Sequence, residues 1–279
     1  MALTRRAAVA GSWYPGTATA LAREVDGYLA AAATHRGAPG RLREVCAVAA
    51  PHAGLPYSGP VAAHAYEQLR HRRIDVAVLV GPSHFVDFDG VALSSTDGFE
   101  TPLGVVPIDR TVAAAFRAAS PLIHDREAAH AREHSLEMQL PFLMRVCPAV
   151  PIVPLLIGRQ TAATAAALGD ALSRVLVGRR AVLVASTDLS HYHDARTAAT
   201  LDGLVVGAVE AFAPDALQTL LTQRPDHACG GGALVAVMRA AWTLGARDAE
   251  ALSYADSGDV SGDKSSVVGY LAAAFGHRT

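Results

Sequence analysis

The amino-acid sequence predicts an α/β protein, a three-layer sandwich in which a central, mainly parallel but mixed β-sheet has helices on both faces. Two observations lead to this fold class. Short continuous apolar runs recur along the chain, and such runs are typical of strands buried on both faces of a sheet. Helical stretches separate the runs, as the crossover connections of parallel strands require. With 279 residues, no internal repeat and no low-complexity linker, the chain is expected to form a single domain over residues 1–279.

Three of the predicted strands share one layout: an apolar run, a tight corner of small residues, and then a histidine. They are residues 45–50 before His52, residues 76–80 before His84, and residues 181–186 before Asp188 and His191. In open α/β sheets, ligands bind in the crevice at the carboxyl ends of the strands. Polar residues directly after three strands are therefore expected to meet in one site.

The other elements of the first half are predicted from periodicity and turn signals. Apolar residues recur on one face of residues 17–34, which predicts an amphipathic helix that ends at the break in residues 37–40. Residues 54–59 are predicted to form a turn, followed by a helix that extends to about Arg70. Residues 90–108 contain short β-like pieces and are predicted to form a hairpin-like excursion at the sheet edge.

The second half of the chain continues the alternation of helices and strands. Asp109 is predicted to cap a helix over residues 110–119, because an aspartate side chain can accept hydrogen bonds from the first free amides of a helix. Another helix is predicted to begin at Glu133 and to run to about Val146. The rest is predicted to form strands at residues 152–157, 250–254 and 265–275, and helices at residues 161–177, 195–212, 214–223 and 233–244.

Composition argues against several classes of function. The net charge is −2 and the pI is about 6.6, so neither nucleic acid nor an anionic membrane is expected as a partner. No window contains the roughly 18 consecutive apolar residues of a membrane span, and the first residues lack the apolar segment of a secretory signal. Three cysteines are too few and too scattered for a disulfide framework. A cytoplasmic protein is expected.

His52 and His84 occupy the same position after two core strands, which favours joint metal ligation because imidazole suits Zn, Cu and Fe. The alternative for each is a hydrogen bond to a loop carbonyl. The candidates for a third ligand are Cys229, Asp188, His191, His134 and Glu137. Cys229 opens a glycine-rich turn at a helix start, where a lowered thiol pKa would favour the metal-binding thiolate. The same turn is compatible with a plain helix cap or with a phosphate or carboxylate site.

Two pairs of polar residues share a spacing of three. Asp188 and His191 would lie on one side of a helical turn, either as metal ligands or as a pair in which Asp188 orients His191 as a general base. An aspartate that caps the next turn is the simpler alternative. His134 and Glu137 lie at a predicted helix start. They are interpreted either as half of a carboxylate-containing metal site or as residues that cap the helix and support the ligands.

Seven motifs, in order, resemble the Memo family, whose bacterial members are also called AmmeMemoRadiSam system protein B. They are AGSWYP at 10–15, APHAG at 50–54, GPSH at 81–84, EHSLEMQLP at 133–141, STDLSH at 186–191, CG at 229–230 and SSVVGY at 265–270. The match extends from about residue 5 to residue 275. It implies the fold of class III (LigB-type) extradiol dioxygenases. By similarity, His52 and His84 match two histidine ligands of a non-haem iron, and Cys229 lies where the family has a cysteine ligand.

The resemblance also implies a function and further site residues. Asp188 and His191 match a polar pair in the same pocket, with His191 in the acid/base position, and His134, Glu137 and Gly230 are expected in the pocket or beside the ligands. A dioxygenase-like redox enzyme is expected, with one transition metal ion, Fe(II) or Cu first and Zn next, acting on a small molecule or peptide. A non-catalytic peptide- or metal-binding module is the alternative. The family name implies association with radical-SAM and AMMECR1-type proteins.

Overall fold

Apolar strands alternate with helices along the chain, and the computed structural model, which describes residues 3–34 and 42–278, arranges them around a large β-sheet. The strands are β1 Thr4–Arg5, β2 Glu44–Ala50, β3 Val76–Pro82, β4 Val91–Leu93, β5 Gly98–Thr101, β6 Gly104–Pro107, β7 Ile123–Asp125, β8 Ile152–Ile157, β9 Ala181–Ser186, β10 His191–His193, β11 Asp248–Asp256 and β12 Val267–His277. The helices are α1 Ala18–Ala33, α2 Leu55–Glu67, α3 Arg110–Ala119, α4 Glu127–His130, α5 Leu140–Val146, α6 Ala162–Leu176, α7 Ala195–Glu210, α8 Pro214–Gln223, α9 Gly231–Thr243 and α10 Gly258–Ser261. Short 3₁₀ turns lie at Glu137–Gln139 and Pro225–His227.

The larger sheet has the strand order β10-β12-β2-β9-β3-β8-β4-β7, and β11 also pairs with β12. Neighbouring strands among β2, β9, β3 and β8 are parallel, whereas β12 is antiparallel to β2 and β4 is antiparallel to β8. Helices α1, α2 and α5 cover one face, and α3, α6, α7, α8 and α9 cover the other. The predicted fold class, a mixed sheet between two helical layers, is confirmed.

The centre of the molecule fixes the carboxyl ends of the parallel strands. Every residue of β3 and β8 is buried, as expected for strands covered on both faces. Helix α9 is almost wholly apolar and packs on β3 and β9 and against α6. A helix apolar on all sides belongs in the interior, so the start of α9, which follows Cys229, is held rigidly at the strand ends.

Several predicted elements match the structure closely. Residues 152–157 form β8 and residues 181–186 form β9, with the predicted bounds. The Asp109 side chain caps α3 by accepting a hydrogen bond from Val112 N at 2.9 Å. These elements have unambiguous signals, since an apolar run bounded by turns or a capping aspartate depends on local sequence alone.

Three predictions about element boundaries are wrong. Residues 91–93 form β4 inside the large sheet, and only β5 and β6 form the hairpin, which pairs with β1 in a separate sheet. Residues 54–59 do not form a turn, because α2 begins at Leu55 and accommodates a proline in its first turn. The predicted helix over residues 133–146 begins only with a 3₁₀ turn at 137, and α5 begins at Leu140.

The predicted break at residues 37–40 lies outside the described residues. Within residues 3–34 and 42–278, no helix is long and apolar enough to cross a membrane.

Candidate metal centre

The residues predicted from three strand ends meet in one cavity of about 450 Å³. His52 follows β2, His84 follows β3, and Asp188 and His191 follow β9, while the turn before α9 adds Cys229. The lining consists of Trp13, His52, Ala53, His84, His134, Asp188, His191, Tyr192, Cys229 and Val268. The crevice at the carboxyl ends of the parallel strands is therefore the location of the site, as the topology rule predicts.

Two histidines and one cysteine form a group whose donor atoms all lie within 4.8 Å of one another. Cys229 Sγ lies 3.2 Å from His52 Nε2, and the rings of His52 and His84 meet edge to face with centroids 5.2 Å apart. Ligand atoms around one tetrahedral ion are roughly 3.4–3.6 Å apart for bonds of about 2.1 Å to nitrogen and 2.3 Å to sulfur. The separation of His52 Nε2 and Cys229 Sγ is close to that span.

Hydrogen bonds behind His52 determine which of its ring nitrogens carries the proton. Ser186 Oγ donates its single proton to Ser135 O at 2.6 Å and accepts from the Gln139 amide at 2.7 Å. Its remaining lone pair faces His52 Nδ1 at 2.9 Å, so Nδ1 must carry the proton. The lone pair of a neutral His52 is therefore on Nε2, the nitrogen that lies beside Cys229 Sγ.

His84 is held by a carboxylate that the sequence interpretation missed. Its Nδ1 lies 2.9 Å from Oε1 of Glu133, which is 2% exposed. Metal-binding histidines usually place their second nitrogen against a carboxylate, carbonyl or water, which fixes the ring. The signal in the sequence that points to Glu133 is its position directly before the candidate histidine His134.

The turn that carries Cys229 is clamped on both sides. Asp188 N donates to Cys229 Sγ at 3.2 Å, and Cys229 N donates to Asp188 O at 3.2 Å. The Gln160 side chain donates to Cys229 O at 2.6 Å and accepts from Gly232 N at 2.8 Å. A Cβ on Gly230 would lie 2.3 Å from Ser186 O, so only glycine lets the turn approach β9 this closely.

Asp188 and His191 both line the cavity but do not form the predicted pair. His191 Nδ1 lies 2.8 Å from Leu189 O, whereas Asp188 Oδ1 accepts from His52 N at 2.6 Å. The segment after β9 is extended into β10, not helical, so the spacing of three does not place the two side chains together. The backbone carbonyl, and not Asp188, sets the tautomer of His191 and leaves its Nε2 as the proton acceptor.

His134 and Glu137 separate in the same way. His134 lies in the cavity wall between Trp13 and His84, with ring centroids at 4.2 Å and 4.6 Å respectively. Glu137 lies outside the cavity, where its carboxylate accepts from Arg5 at 2.7 Å and from the Tyr14 hydroxyl at 2.6 Å. Glu137 therefore does not line the cavity. Residues 133–136 are not helical, so the two side chains do not share a helix face.

Comparison with known proteins shows the family of the chain. A family model described as "Memo-like protein" matches residues 5–274. The chain belongs to the Memo family. A MEMO1 family protein of Nitrosopumilus maritimus is 34% identical over 98% of this chain and 100% of its own. Another, from Methanothermobacter thermautotrophicus, is 38% identical over 96% of this chain and 99% of its own.

A solved structure supports the Memo fold at lower sequence similarity. The crystal structure of an uncharacterized protein from Escherichia coli K12 matches with a TM-score of 0.56 and 19% identity, covering 84% of this chain and 100% of that one. At this identity the likeness concerns the fold alone. It agrees with the mixed α/β architecture expected from the LigB-type resemblance.

Burial sets the electrostatics of the Memo site. It raises the pKa of the Cys229 thiol, and the neighbouring Asp188 carboxylate raises it further. It lowers the pKa of His52 well below its usual value, with further lowering from His84 and His134. The prediction that the helix start lowers the pKa of Cys229 is wrong for the metal-free protein, because desolvation outweighs the helix terminus.

This donor set fits a transition metal ion. A bound cation would compensate the negative charge of a buried Cys229 thiolate. The neutral imidazole of His52 is the form of histidine that binds metal. A second group, His84, Glu133 and His134, also has donor atoms within 4.8 Å. Oε1 of Glu133 already accepts three N–H groups, from His84 Nδ1 and from the amides of His134 and Ser135. The group with Cys229 is therefore the better candidate.

Burial also changes the protonation of the cavity acids and bases. It raises the pKa of Asp188 to about 7, against the opposing effect of the His52 and Ala53 amides. It lowers the pKa of His134 to about 4 and also lowers that of His191. His134 and His191 are thus neutral at physiological pH, and His191 is available to accept a proton.

Proposed function

We propose that this Memo-family protein is a metal-dependent redox enzyme, dioxygenase-like in its site, that holds one Fe(II) or Cu ion with His52, His84 and Cys229. The observation that carries the proposal is the convergence of two imidazoles and one thiol, with donor atoms within 4.8 Å, in the wall of a cavity of about 450 Å³. Thiolate and imidazole ligands favour Fe, Cu or Zn over Mg or Ca. Among these, Fe and Cu supply redox chemistry.

The chain's own residues have distinct tasks in this proposal. When bound, the ion supplies an electron-transfer centre beside the substrate. His191 takes or returns the substrate proton at Nε2, because Leu189 O holds its Nδ1 proton. Asp188 holds the backbone of His52 through a hydrogen bond of 2.6 Å and keeps that ligand in position. Trp13 and His134 form one wall of the cavity and limit the access of water.

The substrate class proposed is a small molecule or the side chain of a peptide. A cavity of about 450 Å³ lies within the range of small-molecule sites, roughly 300–1,000 Å³. Exposed Tyr192 and half-exposed Trp13 at its lining offer aromatic surface to such a ligand. The resemblance to bacterial family members supports two further parts of the proposal, a cytoplasmic location and a functional association with radical-SAM and AMMECR1-type proteins.

A non-catalytic binding module is the second candidate, and a specific observation favours it. Tyr192 is 79% exposed and Phe85 is 51% exposed, and both lie beside histidines of the site. Exposed aromatic side chains next to a cavity are typical of surfaces that capture peptides. Such a module would bind metal or peptide without turnover, so it is distinguished by the absence of oxygen consumption.

Elemental analysis of anaerobically purified protein tests the proposal. Near-stoichiometric Fe or Cu in the wild type, lost in Cys229→Ala and His52→Ala but kept in the control Cys46→Ala, is the expected result. Oxygen uptake would then be screened with catechols and aromatic peptides. A wild type that neither contains metal nor takes it up on reconstitution contradicts the enzyme proposal. Metal without oxygen uptake for any substrate favours the binding module.

A further inference from the structure

The Glu133 carboxylate accepts four hydrogen bonds, from His84, His134 and Ser135. One oxygen, Oε2, accepts from His84 N at 2.5 Å. The other, Oε1, accepts from His84 Nδ1 at 2.9 Å and from the amides of His134 and Ser135 at 2.9 Å and 2.8 Å. The carboxylate therefore holds both the backbone and the ring of His84.

The hydrogen bonds determine which nitrogen of His84 can bind a metal. Two of the groups on Oε1 are backbone amides, which can only donate, so this oxygen acts as an acceptor. The His84 nitrogen that faces it must then carry the proton. A neutral His84 accordingly has its lone pair on Nε2, and Nε2 is the atom left for an ion shared with His52 and Cys229.

The hydrogen-bond partners of the three proposed ligand side chains differ in charge. His52 faces the neutral hydroxyl of Ser186, and Cys229 Sγ accepts from the neutral backbone amide of Asp188. Among the three donor side chains, only the His84 ring has an anionic hydrogen-bond partner, because the Asp188 carboxylate bonds the backbone amide of His52 and not its ring. A carboxylate behind a histidine raises the basicity of the nitrogen that binds the metal, and removing such a partner typically lowers metal affinity roughly 10- to 100-fold.

We infer that Glu133 is a positioning residue, which locks His84 in the Nδ1–H tautomer and strengthens Nε2 as a metal donor. The inference rests on the proposed function for the metal itself, but the tautomer of His84 exists without metal. Glu133 also ties the segment before the 3₁₀ turn at 137 to the end of β3. If Glu133 only joined these two segments, its substitution would lower the stability of the fold. The tautomer of His84 and the metal affinity of the folded protein would then stay unchanged.

The metal-free test is ¹⁵N NMR of the histidine rings at neutral pH. The expected spectrum of the wild type shows His84 protonated on Nδ1, and Glu133→Gln is expected to give a mixture of tautomers. A wild-type His84 protonated on Nε2 overturns the inference, whatever any variant does. This readout also distinguishes the inference from the proposed function, since it requires no bound ion.

The metal test is a competition titration with Co(II) and Zn(II) on folded protein. Glu133→Gln is expected to bind each ion roughly 10- to 100-fold more weakly than the wild type, with a changed Co(II) absorption spectrum. Glu67→Gln is the matched control, because Glu67 is also a buried carboxylate, 2% exposed, but pairs with Arg70 instead of a site histidine. Its affinity should equal that of the wild type.

A shorter carboxylate at position 133 provides a second variant for both tests. Glu133→Asp, which keeps the charge but shortens the side chain, replaces the glutamine variant if that protein does not fold. It is expected to lose affinity and to mix the tautomers of His84. Folded Glu133 variants that bind within twofold of the wild type and keep a single His84 tautomer overturn the inference. A wild type that binds no ion contradicts the proposed function, and the tautomer then decides the inference alone.

Discussion

Gly230→Ala is expected to weaken both the fold and the metal site. An added Cβ would lie 2.3 Å from Ser186 O and 2.8 Å from the Thr187 Cβ, whereas unstrained non-bonded contacts of carbon are roughly 3.5 Å. The turn must therefore move away from β9 by about 1 Å. Overpacking of this kind costs about 1–3 kcal/mol.

The same displacement acts on Cys229, the neighbour of Gly230. Its Sγ lies 3.2 Å from His52 Nε2, and metal–ligand distances tolerate only about 0.2 Å of deviation. We expect the metal affinity of Gly230→Ala to fall at least about tenfold. The assays are urea unfolding of the metal-free protein and competition titration with Zn(II).

Gly203→Ala provides the control, because Gly203 lies in α7 with no atom within 4 Å of an added Cβ. That substitution should leave the affinity unchanged and stabilise the helix by about 0.5–1 kcal/mol. If Gly230→Ala unfolds at the wild-type urea concentration and binds metal equally well, the close approach of the turn to β9 is not required for the fold or for the site.

Three further predictions concern protons and buried charge. Metal binding at neutral pH should release about one proton, because burial raises the pKa of the Cys229 thiol. Titration calorimetry in buffers of different ionisation enthalpy measures the number of protons released. Zero release contradicts a thiolate ligand. Burial lowers the pKa of His130 to about 4, below the unfolded value of about 6.5. The fold therefore loses stability as pH falls from 6.5 toward 4, by up to about 3 kcal/mol. His130→Gln should show a smaller loss in urea unfolding, and an unchanged pH profile would contradict this. Arg5→Leu should cost about 3–5 kcal/mol, because it removes the cation that pairs with the fully buried Glu137 carboxylate. A loss below 1 kcal/mol in the same assay contradicts this.

The parts of the fold that the sequence predicted are those that depend on local patterns. Apolar runs located β8 and β9, and a capping aspartate located the start of α3. Because the carboxyl ends of parallel strands meet, His52 and His84 could be assigned to one site before any distance was known. The resemblance to the Memo family favoured Cys229 among five candidate third ligands.

The parts that could not be predicted depend on tertiary contacts. Residues 91–93 are too few to reveal which sheet they join, and their pairing with β8 decides it. The spacing of Asp188 and His191 suggested a pair only if the chain were helical there, and instead the chain enters β10, where Leu189 O takes the histidine proton. Glu133 draws the amides of His134 and Ser135 to its own carboxylate, which competes with a helix over this segment.

The most direct test of the central claim is X-ray absorption spectroscopy at the metal edge of the protein as purified without oxygen. We expect one sulfur neighbour at about 2.3 Å and imidazole nitrogens at about 2.1 Å, with the sulfur neighbour absent in a reconstituted Cys229→Ser variant. A metal shell of nitrogen and oxygen alone in the wild type would contradict the site formed by His52, His84 and Cys229.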